Sequence, residues 1–130
     1  AQFIAGKIVK LMIKKGHNIT GANALILGVT FKENCPDVRN TKVVDIYSEL
    51  VQFGLNVDVW DPWAGKEVVL EEYGVTILEN LPENKKYDVL LLAVAHNEFL
   101  ALDMATLKNE NAVVFDVKAI LDRSLVDSRL

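Results

Sequence analysis

The sequence predicts an α/β fold built around a parallel sheet, and three observations carry that expectation. Continuous apolar runs, "NALILG" at 23–28 and "YDVLLLAVA" at 87–95, read as strands buried on both faces. Stretches of helical periodicity lie around them, such as "TKVVDIYSELVQFG" at 41–54. Strand and helix alternate along the chain, the pattern of βαβ units with right-handed crossovers.

Residues 2 to about 15 read as a helix. Ile4, Ile8, Leu11 and Lys15 lie on one side with Ala5, Val9 and Met12 beside them, so its apolar stripe is broad. Lys14 and Lys15 suit the negative end of the helix, and Gly16 terminates it. The first strand follows at 23–28. Asn40 or Thr41 can cap the next helix, which has Val43, Val44, Ile46, Tyr47, Leu50 and Val51 at helical spacing and closes at Gly54. "NVDVWD" at 56–61 alternates as a strand, and "KEVVLEEYG" at 66–74 is a short helix. "VTIL" at 75–78 reads as a third, short strand and 87–95 as the fourth. "NEFLALDMATLK" is helical with a break, and "AVVFDVK" at 112–118 is the last clear strand. "LPENKK" and "DRSLVDSRL" read as polar connectors or ends. The expected architecture is a Rossmann-like, doubly wound parallel sheet of about five strands with flanking helices, in the order 3-2-1-4-5.

At 130 residues the chain suits one domain with a real core. A net charge of −4 disfavours nucleic acid as a partner, because nucleic-acid-binding domains carry a basic surface. One cysteine excludes an internal disulfide framework and fits a reducing, cytoplasmic setting. No apolar run approaches the ~18 residues of a membrane span. The chain opens inside a helical pattern without an initiator Met, as an excised piece of a longer protein would.

Ligands of such sheets bind at the carboxyl ends of the strands. The loop after the first strand, "GVTFKENCPDVRN", is long for a βα connection and has Gly28 alone where a dinucleotide fold places G-x-G-x-x-G. What it offers instead is Lys32, a flexible point charge, and Arg39, a planar fork beside a helix N-terminus. Arg39 equally suits an ion pair with Asp37, and Phe31 suits either a ligand face or packing. Cys35, flanked by Asn34 and Pro36, reads as an inert turn residue, since neither His17 nor His96 is placed to activate it. The two histidines and the cysteine lack metal-ligand spacing. Asp61 ends the second strand where a dinucleotide fold holds a ribose hydroxyl, yet "DPW" also reads as a turn. His96 suits a ligand contact or a helix cap, and Asp116 and Lys118 suit each other.

"GVTFKENCPDVRNTKVVDI", "VDVWDPWA", "VLLLAVAHNEF" and "VVFDVKAIL" resemble the C-terminal UDP-binding domain of the UDP-glucose/GDP-mannose dehydrogenase family. The likeness is greatest to the bacterial UDP-N-acetylhexosamine dehydrogenases of capsular and Vi-type polysaccharide synthesis. F-K-E-N-x-x-D-x-R-N is the specific block, and Ala119 departs from the glycine expected after "DVK". The resemblance implies a two-step, NAD-dependent oxidation of a UDP-sugar to its uronic acid. It places NAD and the catalytic cysteine on polypeptide outside this chain, so that the isolated chain is inactive and holds no catalytic, cofactor-binding or metal-binding residue. It makes Phe31, Lys32 and Arg39 the substrate-binding residues, residues 1–20 the end of a central helical region, and 21–130 the UDP-sugar domain. The full-length protein is expected to form a homodimer or larger homo-oligomer, with neither nucleic acid nor membrane as a partner. The alternative is a stand-alone regulatory nucleotide-binding or oligomerisation module.

Overall fold

A computed structural model describes residues 1–129. Five parallel strands form one sheet: β1 Asn23–Leu27, β2 Asn56–Trp60, β3 Tyr87–Leu92, β4 Lys108–Asp116 and β5 Ser128–Arg129, in the order β2-β1-β3-β4-β5. Leu27 pairs with both Trp60 and Leu92, and Leu92 with Asp116. Four strands therefore end level, and the segments that follow them share one rim.

Alternation along the strands divides the core into two layers. Ala24, Ile26, Val89, Leu91, Val113 and Phe115 face one side. There they meet Ile4, Ala5, Ile8 and Met12 of α1 (Gln2–Lys14) and Val43, Ile46 and Leu50 of α2 (Val43–Gln52). α3 (Lys66–Tyr73) adds Val69 to the same layer. Leu25, Leu27, Leu90, Leu92 and Val114 face the other side, under Phe99 of α4 (Asn97–Leu100) and Met104 and Leu107 of α5 (Met104–Leu107). Helices on both faces make the sheet doubly wound, as expected. Each fully buried aliphatic side chain contributes about 1.5–3 kcal/mol relative to exposure.

The broad stripe of α1 is used within the chain. Ile4, Ala5, Ile8, Val9 and Met12 are all buried, so residues expected to belong to a preceding helical region share the core of the sheet. Lys15 ties the end of α1 to β4 and the segment before β5. Its Nζ donates to the Ala112 carbonyl at 2.9 Å and pairs with Asp127 at 2.7 Å.

Two elements differ in detail from the sequence reading, and the break expected within a third is present. Residues 75–78 form no strand; Leu78 alone makes a parallel bridge with Trp60, because Asp61 and Pro62 turn the chain away immediately after β2. That bridge still lies at the edge beside β2, where the order 3-2-1-4-5 put it. The helical stretch 97–108 splits in two, since the Asp103 carboxylate accepts from the Ala105 N–H and starts a new turn. The end that reads as polar supplies β5. Asp127 fixes it by donating its N–H to the Val114 carbonyl and accepting the Val114 N–H on its carboxylate.

Candidate functional site

The loop between β1 and α2 opens at Gly28, whose φ of +98° only glycine adopts freely. A Cβ there would lie 2.6 Å from the Val94 Cβ, so β1 and the end of β3 meet closely because the residue is glycine. Beyond it the loop is held at several points. Phe31 N–H donates to the Asp37 carbonyl, and the Tyr73 hydroxyl donates to the Val38 carbonyl. Asn34 takes a positive φ of 53° and accepts the Asn97 N–H at the start of α4.

Beneath this loop lies a buried polar cluster. Asp61 is 3% exposed, and its carboxylate accepts four backbone N–H groups: Val29 and Thr30 on one oxygen, Trp63 and Ala64 on the other. His96 is fully buried against it, with Nε2 2.9 Å from the Asp61 Oδ2 and 3.0 Å from the Thr30 hydroxyl oxygen. The other ring nitrogen, Nδ1, accepts the Asn34 N–H at 2.9 Å. That bond fixes the tautomer: Nδ1 holds the lone pair and Nε2 carries the proton it donates to Asp61. Trp63 stacks over the imidazole and donates its Nε1–H to Glu98 at 2.9 Å. The Trp63 N–H holds the Glu98 carboxyl below its usual pKa.

Asp61 and His96 are thus committed inside the protein. An acid with both oxygens occupied by backbone donors has none left for a ribose hydroxyl. With the side chain of Val94 filling the space above Gly28, these residues do not fit a dinucleotide at the position where this type of sheet holds one.

On the rim beside the cluster a groove of about 250 Å³ opens between the β1 loop, the N-terminal end of α2 and the ends of β3 and β4. Its floor is apolar: Ile4, Val43, Ile46, Ala93, Val94 and Val117. Thr30, Asn40 and Thr41 add polar groups, and Thr41 accepts the Val43 N–H at the start of α2. The Phe31 ring, 55% exposed, forms one wall, and Lys42 and Lys118 line the groove. Among the described residues neither ammonium has a hydrogen-bond or ion-pair partner. The positive end of the α2 dipole points to the same place. An apolar floor, an exposed ring and free cations suit a planar base carrying phosphates.

The candidates from sequence are not all in one place. Phe31 lines the groove. Lys32 is exposed on the same loop, its side chain without a partner among the described residues, and it is not part of the groove lining. Arg39 binds Asp37 with two bonds, from Nε and Nη2, at 3.0 and 3.1 Å. The Arg39 bonds lower the pKa of the Asp37 carboxyl, and the Asp37 bonds raise that of the guanidinium. Cys35 is half-buried, and both nitrogens of His96 are engaged elsewhere, while His17 bonds Asn111 at the far end of β4. Asp116 does not pair with the Lys118 ammonium. It accepts the backbone N–H groups of Lys118 and Leu121, so the lysine side chain has no partner among the described residues. Lys42 was not a candidate by sequence, since it follows Thr41 as a polar residue at a helix start. Among the described residues, no helix is long and apolar enough to cross a membrane, and no group of three or more His, Cys, Asp or Glu is placed to hold a metal ion.

Sheet order, an apolar groove and two cations without a partner among the described residues define an α/β domain whose rim suits an anionic ligand. The model for the UDP-glucose/GDP-mannose dehydrogenase family, UDP binding domain, matches residues 25–123, and the chain belongs to this family. It is 44% identical over 131 residues to the UDP-N-acetyl-D-glucosamine 6-dehydrogenase of Pseudomonas aeruginosa, which covers 98% of this chain and 31% of that protein. It is 40% identical over 124 residues to Protein CapL of Staphylococcus aureus, covering 94% of this chain and 29% of that protein. The chain therefore spans about a third of the length of these relatives. Its fold is shared with the crystal structure of NDP-N-acetyl-D-galactosaminuronic acid dehydrogenase from Methanosarcina mazei Go1. The TM-score is 0.75 at 22% identity, over 93% of this chain and 26% of that one.

Proposed function

We propose that this chain binds the UDP portion of a nucleotide sugar on behalf of a dehydrogenase that oxidises the sugar at C6 to a uronic acid. The UDP-N-acetylhexosamines named by its relatives are the favoured substrates, and surface polysaccharide is the favoured destination. The observation that carries this reading is the groove between Phe31 and Lys118: an apolar floor with two ammonium groups, unpartnered among the described residues, at the positive end of a helix.

In this reading the base lies against the Phe31 ring, and Lys42 and Lys118 offset the charge of the diphosphate. Lys32 reaches the ligand from the loop, on the sugar side. Arg39 fixes the loop through Asp37 and approaches the ligand only on exchanging that partner. NAD and the reacting cysteine belong to the rest of the enzyme. α1 is then the end of the helical region that joins the two parts, in a cytoplasmic homodimer or larger homo-oligomer.

Calorimetric titration of UDP into the chain tests the reading. Phe31→Ala, Lys42→Ala and Lys118→Ala are each expected to weaken binding and Arg39→Ala to change it least, while Lys32→Ala weakens binding of the UDP-sugar more than that of UDP. Unchanged affinity in Phe31→Ala and Lys118→Ala alike would refute the groove as the site.

A further inference from the structure

From the buried cluster we infer that His96 is a positioning residue for the nucleotide-sugar site: it sets where Phe31 and Lys32 stand without touching the ligand. The inference rests on the UDP-binding reading above. His96 is fully buried, so no ligand reaches it. Its ring joins three segments that are far apart in sequence. Nε2–H donates to Asp61 at the end of β2 and lies 3.0 Å from the Thr30 hydroxyl, just before Phe31. Nδ1 accepts the N–H of Asn34, just after Lys32 and Glu33. The Thr30 hydroxyl in turn donates to the Lys32 carbonyl at 3.0 Å. Both ends of the tetrad Phe31–Asn34 are thus anchored on one imidazole, whose position is fixed by Trp63 above and Phe99 at its edge.

The two bonds have different consequences. Asp61 keeps four backbone donors if the imidazole donor is lost. The Asn34 N–H has His96 Nδ1 as its acceptor. The acceptor nitrogen is therefore the one that governs the loop.

Paired variants separate this role from simple stability. Asn places a carbonyl oxygen near the position of Nδ1, and Gln places an amide nitrogen near that of Nε2. In His96→Gln, the Asn34 amide is expected to exchange with solvent about tenfold faster or more, and the dissociation constant for UDP to rise about tenfold. In His96→Asn, both are expected to stay within about threefold of wild type, while Tm falls in both variants. The inference is overturned if both variants bind UDP like wild type, or if both lose affinity in step with Tm. If the wild-type chain does not bind UDP, the functional reading fails by itself. The exchange rates then decide the positional claim, and equal behaviour of Asn34 in the two variants refutes it.

Discussion

Lys118 and Arg39 are both cations on the rim, and the difference between them is what their charge already does. Arg39 spends its guanidinium on Asp37, whereas Lys118 is freed because Asp116 bonds backbone instead. Removing the ammonium with Lys118→Ala should weaken UDP by about 1–2 kcal/mol, a factor of about 5–30, measured by calorimetry. Local bonds also set the titration of single groups. Trp63→Phe removes the N–H that lowers the pKa of Glu98, so that pKa should rise toward the ordinary glutamate value in a carbon-detected NMR titration. Because the Asp37 pKa is also lowered, its pairing with Arg39 is complete above the ordinary aspartate pKa of about 4 and is lost only as pH falls through the lowered value. The loop contact is therefore intact at neutral pH. Ala119 stands at a φ of +57°, where an L side chain is strained. Ala119→Gly should stabilise the chain by about 0.5–1 kcal/mol in thermal or urea unfolding.

At the scale of elements, Gly28 is the point where two strands meet too closely for a side chain. Gly28→Ala would force a methyl to within 2.6 Å of Val94 and 3.0 Å of its backbone nitrogen, at a φ unsuited to alanine. The expected loss is about 2–4 kcal/mol, read by denaturant unfolding. β1 and β3 were legible in the sequence because both of their faces are buried, which demands unbroken apolar runs. β5 was not, since two residues held by the Asp127 carboxylate carry no periodicity, and neither does the single bridge at Leu78. The site was legible in part. Phe31 falls on the groove through its place after β1, and Asp61 shows its role through the turn that Pro62 enforces. Lys42 became visible only once β4, β3 and α2 were brought side by side, a juxtaposition that no local pattern encodes. The imidazole of His96, equally readable as ligand contact or helix cap, needed its two partners to be assigned.

The molecule as a whole is a sheet with a level carboxyl rim and a helix, α1, that packs with α2 and α3 on one face. Ile8 is fully buried between α1 and the sheet, so Ile8→Ala should remove about 2–5 kcal/mol. Loss of the α1 signals alone, with the sheet intact, would show instead that α1 is not part of the cooperative unit. At the opposite end of the sheet, Tyr87 is buried with its hydroxyl donating to Asp58 at 2.7 Å, and burial first, then Asp58, raises its pKa. The folded state prefers the neutral phenol, so its stabilising effect is present below the unfolded value of about 10 and declines as pH rises beyond it. Alkaline unfolding followed against pH should be shallower in Tyr87→Phe.

In the proposed function the rim holds the ligand, and that ligand is UDP rather than a dinucleotide. The direct measurement is a pair of titrations of the ¹⁵N-labelled chain, one with UDP and one with NAD, followed by amide chemical shifts. UDP should move the amides of Thr30, Phe31, Lys42 and Lys118 together, and NAD should leave them in place. Shifts at these residues with NAD and none with UDP would contradict the assignment.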